Sequence, residues 1–139
     1  DGDDGNDNDS GNGDDATTKK VVIDTKRMKE ALAEGIQAVS FYGGASLGSR
    51  TMLDALYPAL EAFQKYDSND SGDGSGGGGS CCWESVMTAA TRGAEGTATM
   101  TSANAGRSNY LSEDVLTGTP DPGAFAVSLV FKAVWEALR

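Results

Sequence analysis

Gly43–Lys65 reads GGASLGSRTMLDALYPALEAFQK, and this stretch decides the fold class. The paired Gly43-Gly44 stop one helical pattern, and the small, polar residues after them lead into another. From about Arg50 to Lys65, Met52, Leu53, Leu56, Leu60 and Phe63 recur at helical spacing and predict one buried face. Pro58 falls inside that helix, where its missing N–H predicts a kink or a lost backbone hydrogen bond.

Working outward, Thr25–Ser40 carries Met28, Leu32, Ile36 and Val39 on one apolar stripe, with Asp24 as the predicted N-cap. A third helix is predicted from about Ser80 to Met100. Its face is made of Ala89, Ala90, Gly93, Ala94, Gly96 and Ala98, which permit close helix approach. A fourth starts at Asp121-Pro122-Gly123, with Asp as N-cap and Pro at the first helical position. It runs nearly to the C-terminus with Phe125, Leu129, Val130, Val134 and Leu138 as the predicted core face. No alternating strand pattern interrupts these segments, so the predicted class is all-α.

Two segments cannot offset the entropy of ordering. Residues 1–19 are acidic and hold no large apolar side chain before Lys19, and residues 66–80 read YDSNDSGDGSGGGGS. The predicted organisation is a disordered tail over 1–19 and a helical domain over 20–139 with a flexible insertion at 66–80. The formal net charge of −10 is concentrated in the tail. Residues 1–15 contain seven Asp and no cation, which leaves −3 for the rest. No basic face remains to neutralise a phosphate backbone, so nucleic acid is excluded as a partner.

Cys81 and Cys82 are neighbours and the sequence holds no other cysteine, which argues for reduced thiols rather than a disulfide framework. No apolar run is long enough to span a bilayer, and the predicted protein is soluble and cytoplasmic. The chain has no histidine. That removes the usual general base near neutral pH and every Ser-His or Cys-His nucleophile. Any catalytic part for this chain is therefore the binding and positioning of phosphates, the larger share of the work in phosphoryl transfer.

Gly43–Met52 is a glycine-rich loop entering a helix, open to anion binding by backbone N–H groups and equally open to being a plain helix connection. It lacks the Gly-Lys-Ser/Thr of a Walker A loop. Asp121-Pro122-Gly123 opens a second helix with further N–H donors, or is simply a well-capped start. Arg107 stands in the loop before it, as a phosphate ligand or a solvated charge.

Three motifs in order resemble the nucleotide-binding domain of dihydroxyacetone kinases. Gly43–Ala59 (GGASLGSRTMLDALYPA) is similar to that family's GGAxxGDRTMLDALxPA, including the proline. Gly106–Asp114 (GRSNYLSED) resembles GRASYLGER, and Gly118–Val127 (GTPDPGAFAV) resembles GxPDPGAxAV. The resemblance spans about residues 25–139, the C-terminal part of that domain. It implies an antiparallel bundle or barrel of amphipathic helices, of which about four are present, that binds ADP or ATP with Mg2+ at one end. By the same resemblance Gly43 and Met52 line the nucleotide, with Met52 against the base or ribose. Arg107 reaches the phosphates, and Asp121, Pro122 and Gly123 close the site at a helix entry. Thr51 and Asp54 are expected to cap and brace the second helix.

Departures accompany the match. Ser49 stands where the family usually has Asp, and Ser112 and Asp114 replace a Gly and an Arg. The metal loop of the family, of GDxDxG type, lies upstream of the matched part. Asp1-Gly2-Asp3-Asp4-Gly5 echoes it within a solvated acidic tract too close to the first helix, so no metal ligand is assigned. The implied activity is transfer of the γ-phosphate of ATP to dihydroxyacetone or glyceraldehyde, with the substrate held by a histidine on a separate domain or subunit. This fragment alone is expected to be inactive. A non-catalytic helical module derived from such a domain, or part of a fatty-acid kinase sharing it, is the alternative.

Overall fold

The computed structural model describes residues 25–66 and 78–138, and all regular structure within them is helical. The long helices are α1 (Thr25–Gly43), α2 (Leu53–Lys65), α3 (Gly78–Gly96) and α5 (Pro122–Leu138). A single turn, α4 (Glu113–Leu116), and two 3-10 turns, Thr97–Thr99 and Arg107–Tyr110, fill the connection between α3 and α5. No described helix is long and apolar enough to cross a membrane.

Successive long helices run antiparallel. Phe63 near the end of α2 meets Trp83 near the start of α3, with ring centroids 5.1 Å apart. At the other end Gly93 of α3 lies against Asp54 and Ala55 in the first turn of α2. Helix α5 reverses again, pairing Ala124 with Ala94 and Phe131 with Trp83. Helix α1 opposes α2, since Lys29 near its start donates to the carbonyl of Tyr66 just past the end of α2.

Residue size divides the core along this axis. Phe63, Val86, Phe131, Cys82, Ala59 and Ala90 form the main cluster, flanked by Met28, Leu32, Leu56 and Trp83. Burying each large apolar side chain contributes about 1.5–3 kcal/mol. At the opposite end the small residues Ala55, Ala94 and Ala124, with Val127 packed against them, lie between α2, α3 and α5, so three helix ends converge there. Burial pushes the Cys82 thiol up, with Lys29 opposing to a smaller extent. Cys82 is buried within the main cluster and fills space there as an apolar side chain.

Gly93 explains how Pro58 is tolerated. Helix α2 runs through Pro58 without interruption. The proline has no N–H to give the carbonyl of Asp54, four residues earlier. A Cβ on Gly93 would sit 2.1 Å from that same oxygen, so the α3 backbone closes on the acceptor that the proline leaves open.

Several expectations are corrected. Helix α2 begins at Leu53 rather than Arg50, because Arg50 has φ 58° and no right-handed helix includes such a residue. Met52, expected in the buried face, is 41% exposed for the same reason. Helix α3 starts at Gly78, before the predicted Ser80, and tightens into a 3-10 turn after Gly96. The loop before Asp121 contains two unforeseen short helical turns.

The largest correction concerns α5. Its buried residues are Ala124, Ser128 and Phe131, while Phe125 (51%), Leu129 (50%), Val130 (61%) and Leu138 lie exposed. The helix is apolar on nearly every side and carries only Lys132 and Glu136 as charges. Periodicity therefore does not select a face. The close approach to the small residues of α3 does, and it favours Ala124 and Ser128 over Phe125 and Leu129. Asp24, the 1–19 tail and residues 67–77 of the insertion lie outside the described residues.

Three substitutions check this packing. Gly93→Ala is expected to lower the urea midpoint, with an overpacking cost of about 1–3 kcal/mol that outweighs alanine's better helix propensity of about 1 kcal/mol. Phe131→Ala is expected to cost about 3–5 kcal/mol. Leu129→Ala, on the other face, should stay within about 0.5 kcal/mol.

Candidate functional site

The loop from α1 to α2 is built around one carboxylate. Asp54, in the first turn of α2, accepts from the backbone N–H of Gly48 at 2.5 Å and of Thr51 at 2.8 Å. These two bonds bracket Arg50 and hold it in its left-handed conformation, next to Gly48 with φ 88°. The Thr51 hydroxyl accepts from the Leu53 N–H, so Thr51 and Asp54 cap and brace α2. Ser40 closes the other side of the loop by donating to the carbonyl of Ala45 at 2.6 Å. The Asn104 N–H donates to the carbonyl of Ser49, tying this loop to the segment after α3.

Asp121 organises the opposite wall. Its Oδ2 accepts the Ala124 N–H at 2.9 Å, the N-cap bond predicted for this helix. Its backbone N–H donates to the buried hydroxyl of Thr97 at 2.7 Å, and Ser108 donates to Oδ1 at 3.3 Å. Pro122 has no N–H and the Ala124 N–H is taken by the cap. The α5 entry thus offers the Gly123 N–H as its first-turn donor not engaged by the cap, fewer than the sequence suggested.

Between these walls lies a cleft of about 510 Å3. Gly43, Met52, Arg107, Asp121, Pro122 and Gly123, the six residues singled out from the sequence, all line it. Its floor is apolar, with Val39, Leu53 and Ala105 beside the half-exposed Met52. A Cβ on Gly123 would lie 3.0 Å from Asp121 Oδ2 and 3.5 Å from Met52, so a side chain there would close the space between them. Arg107 is exposed at the head of its 3-10 turn, after Gly106 with φ 72°.

Arg50 was not among the expected residues, although it lines the same cleft. It is 2% exposed, its Nη2 donates to the carbonyls of Leu116 and Thr119, and its Nη1 lies 3.9 Å from Asp121 Oδ1. The signal available in sequence was an arginine inside a loop of otherwise small residues, and nothing there showed that it would be buried. Ser108 and Thr97 were likewise invisible, since their partners lie 13 and 24 residues away. Among the described residues no group of three or more His, Cys, Asp or Glu side chains could hold a metal ion.

The chain is similar to several known proteins. The chain is 42% identical over 108 residues to dihydroxyacetone kinase of Citrobacter freundii, covering 78% of this chain and 17% of that one. It is 36% identical over 123 residues to triokinase/FMN cyclase of Mus musculus, covering 86% of this chain and 19% of the relative. It is 35% identical to L-erythrulose 1-kinase of Mycolicibacterium smegmatis over 115 residues, 83% of this chain and 18% of the relative. The chain thus spans less than a fifth of the length of these curated relatives. The crystal structure of the C. freundii dihydroxyacetone kinase in its native form matches with TM-score 0.55 at 36% identity, over 78% of this chain and 16% of that one. The family model of the DAK2 domain matches residues 11–136, nearly the whole length, and the chain belongs to the DAK2 domain family.

Proposed function

We propose that the cleft binds ADP or ATP, and that this chain supplies part of the nucleotide site of a kinase acting on dihydroxyacetone or glyceraldehyde. One observation carries the reading. Three motifs spread from Gly43 to Gly123 converge on a single cleft whose volume, about 510 Å3, suits a nucleotide-sized ligand. Met52, Val39 and Ala105 form an apolar wall suited to a base or ribose. Arg107 and the Gly123 N–H line the same cleft and would offer a phosphate a guanidinium fork and a helix entry.

These residues bind and orient; none of them is a general base. Among the described residues no cluster of His, Cys, Asp or Glu side chains could hold a magnesium ion. With no histidine in the chain and less than a fifth of the relatives' length, the acceptor sugar would be held by another domain or subunit. On this reading the isolated chain transfers no phosphate.

A second reading, a non-catalytic helical module, is favoured by the exposed apolar face of Phe125, Leu129 and Val130 on α5. Nucleotide titration separates the two. Calorimetry with ADP and ATP, with and without Mg2+, is expected to show binding with a Kd on the order of micromolar. Arg107→Ala should weaken it about tenfold, the loss of one charge-assisted hydrogen bond. No heat with either nucleotide would leave the module reading standing. Incubation of the chain with ATP and dihydroxyacetone is expected to yield no phosphorylated product.

A further inference from the structure

Arg50 is held in a left-handed backbone by the Asp54 bonds on either side of it, and its buried charge is only partly met by the bonds it makes. It is the only described residue other than glycine with a left-handed backbone, at φ 58°. Such residues cluster at sites where geometry serves function. Its guanidinium is almost fully buried, yet its fork is only partly used. Nη2 donates to the carbonyls of Leu116 at 3.1 Å and Thr119 at 2.6 Å. The buried Nε N–H finds no acceptor among the described residues, and Nη1 stands 3.9 Å from Asp121 Oδ1, an ion pair rather than a hydrogen bond. A buried donor left unmet calls for an explanation beyond packing.

The neighbouring carboxylate supplies one. Asp121 cannot turn away, because Oδ2 caps α5 through the Ala124 N–H and Oδ1 accepts from Ser108. It lines the cleft, and a buried carboxylate there repels any anion. The ionisable residues lining the cleft are Arg50, Arg107 and Asp121. Arg50 and Asp121 cancel, and Arg107 is left to attract. Without Arg50, the Arg107 charge would be spent against Asp121 and an incoming phosphate would meet no net attraction.

We infer that Arg50 is a positioning residue whose charge offsets Asp121, so that the cleft admits the anionic end of a phosphate-bearing ligand. The inference rests on the nucleotide reading above. Asp121 is kept for its cap, and Arg50 removes the electrostatic penalty that the cap would impose on the ligand.

The test compares charged and uncharged ligands by calorimetric titration of the chain with ADP and adenosine. Arg50→Gln is expected to weaken ADP about tenfold or more while adenosine affinity is unchanged. Adding Asp121→Asn, which keeps a capping side chain but removes the charge, should restore ADP affinity. Arg50→Lys, which keeps the charge and loses the fork, should bind ADP nearly as well as the wild type even where its melting midpoint falls. It carries the test if Arg50→Gln fails to fold by circular dichroism. Equal losses for ADP and adenosine, no recovery in the double variant, or an Arg50→Lys chain that folds but has lost ADP would each overturn the inference and reduce Arg50 to a structural tie. A wild-type chain that binds neither ligand would instead overturn the nucleotide reading, and this inference with it.

Discussion

The arrangement depends on the set of contacts made by Asp121. Its backbone N–H reaches Thr97 beyond the end of α3, and one carboxylate oxygen starts α5. The other oxygen meets Ser108 and faces the Arg50 guanidinium delivered by the α1–α2 loop. Four chain segments that are far apart in sequence are thereby held at one point. The carboxylate only accepts, so Ser108, the Ala124 N–H and Arg50 present donors or positive charge to it, while Thr97 accepts from the backbone N–H instead. The entry of α5 and the 3-10 turn bearing Arg107 are both tied to this residue.

Close helix approach makes that convergence possible. Ala55, Ala94 and Ala124 let the ends of α2, α3 and α5 come together beneath the cleft, while Phe63, Trp83 and Phe131 fill a wider space at the other end. Gly93 and Pro58 belong to the same device. The proline frees the Asp54 carbonyl and the glycine lets α3 pack against it, so two residues unfavourable to helices one at a time are compatible together. Asp54 thus serves twice. Its carbonyl receives α3, and its carboxylate fixes the loop that carries Arg50.

The exposed stripe on α5 bears on how the chain relates to longer proteins. Phe125, Leu129 and Val130 present apolar surface beside a well-packed inner face. The chain spans less than a fifth of the length of these relatives. In a helix apolar nearly all round, the burial seen here accounts for one side only.

Local chemistry was enough to read much of this molecule from its residues. Gly43-Gly44, the Asp121-Pro122-Gly123 start and the 3.6-residue stripe of α1 are signals completed within a few positions, and they led to an all-helical chain with its long helices in the right places. The six motif residues were named through the resemblance to a known family rather than from local chemistry, and only the folded chain shows them lining one cleft. What required the tertiary structure was anything settled by a distant partner. The inner face of α5 was chosen by the small residues of α3, because an apolar helix has no period to choose with. Arg50 was buried by carbonyls 66 and 69 residues away, and its left-handed backbone was held by a carboxylate in the next helix. Sequence determines the preferences of each segment, and the packed fold decides which of them prevail, since burial and charge compensation arise only when separated segments meet.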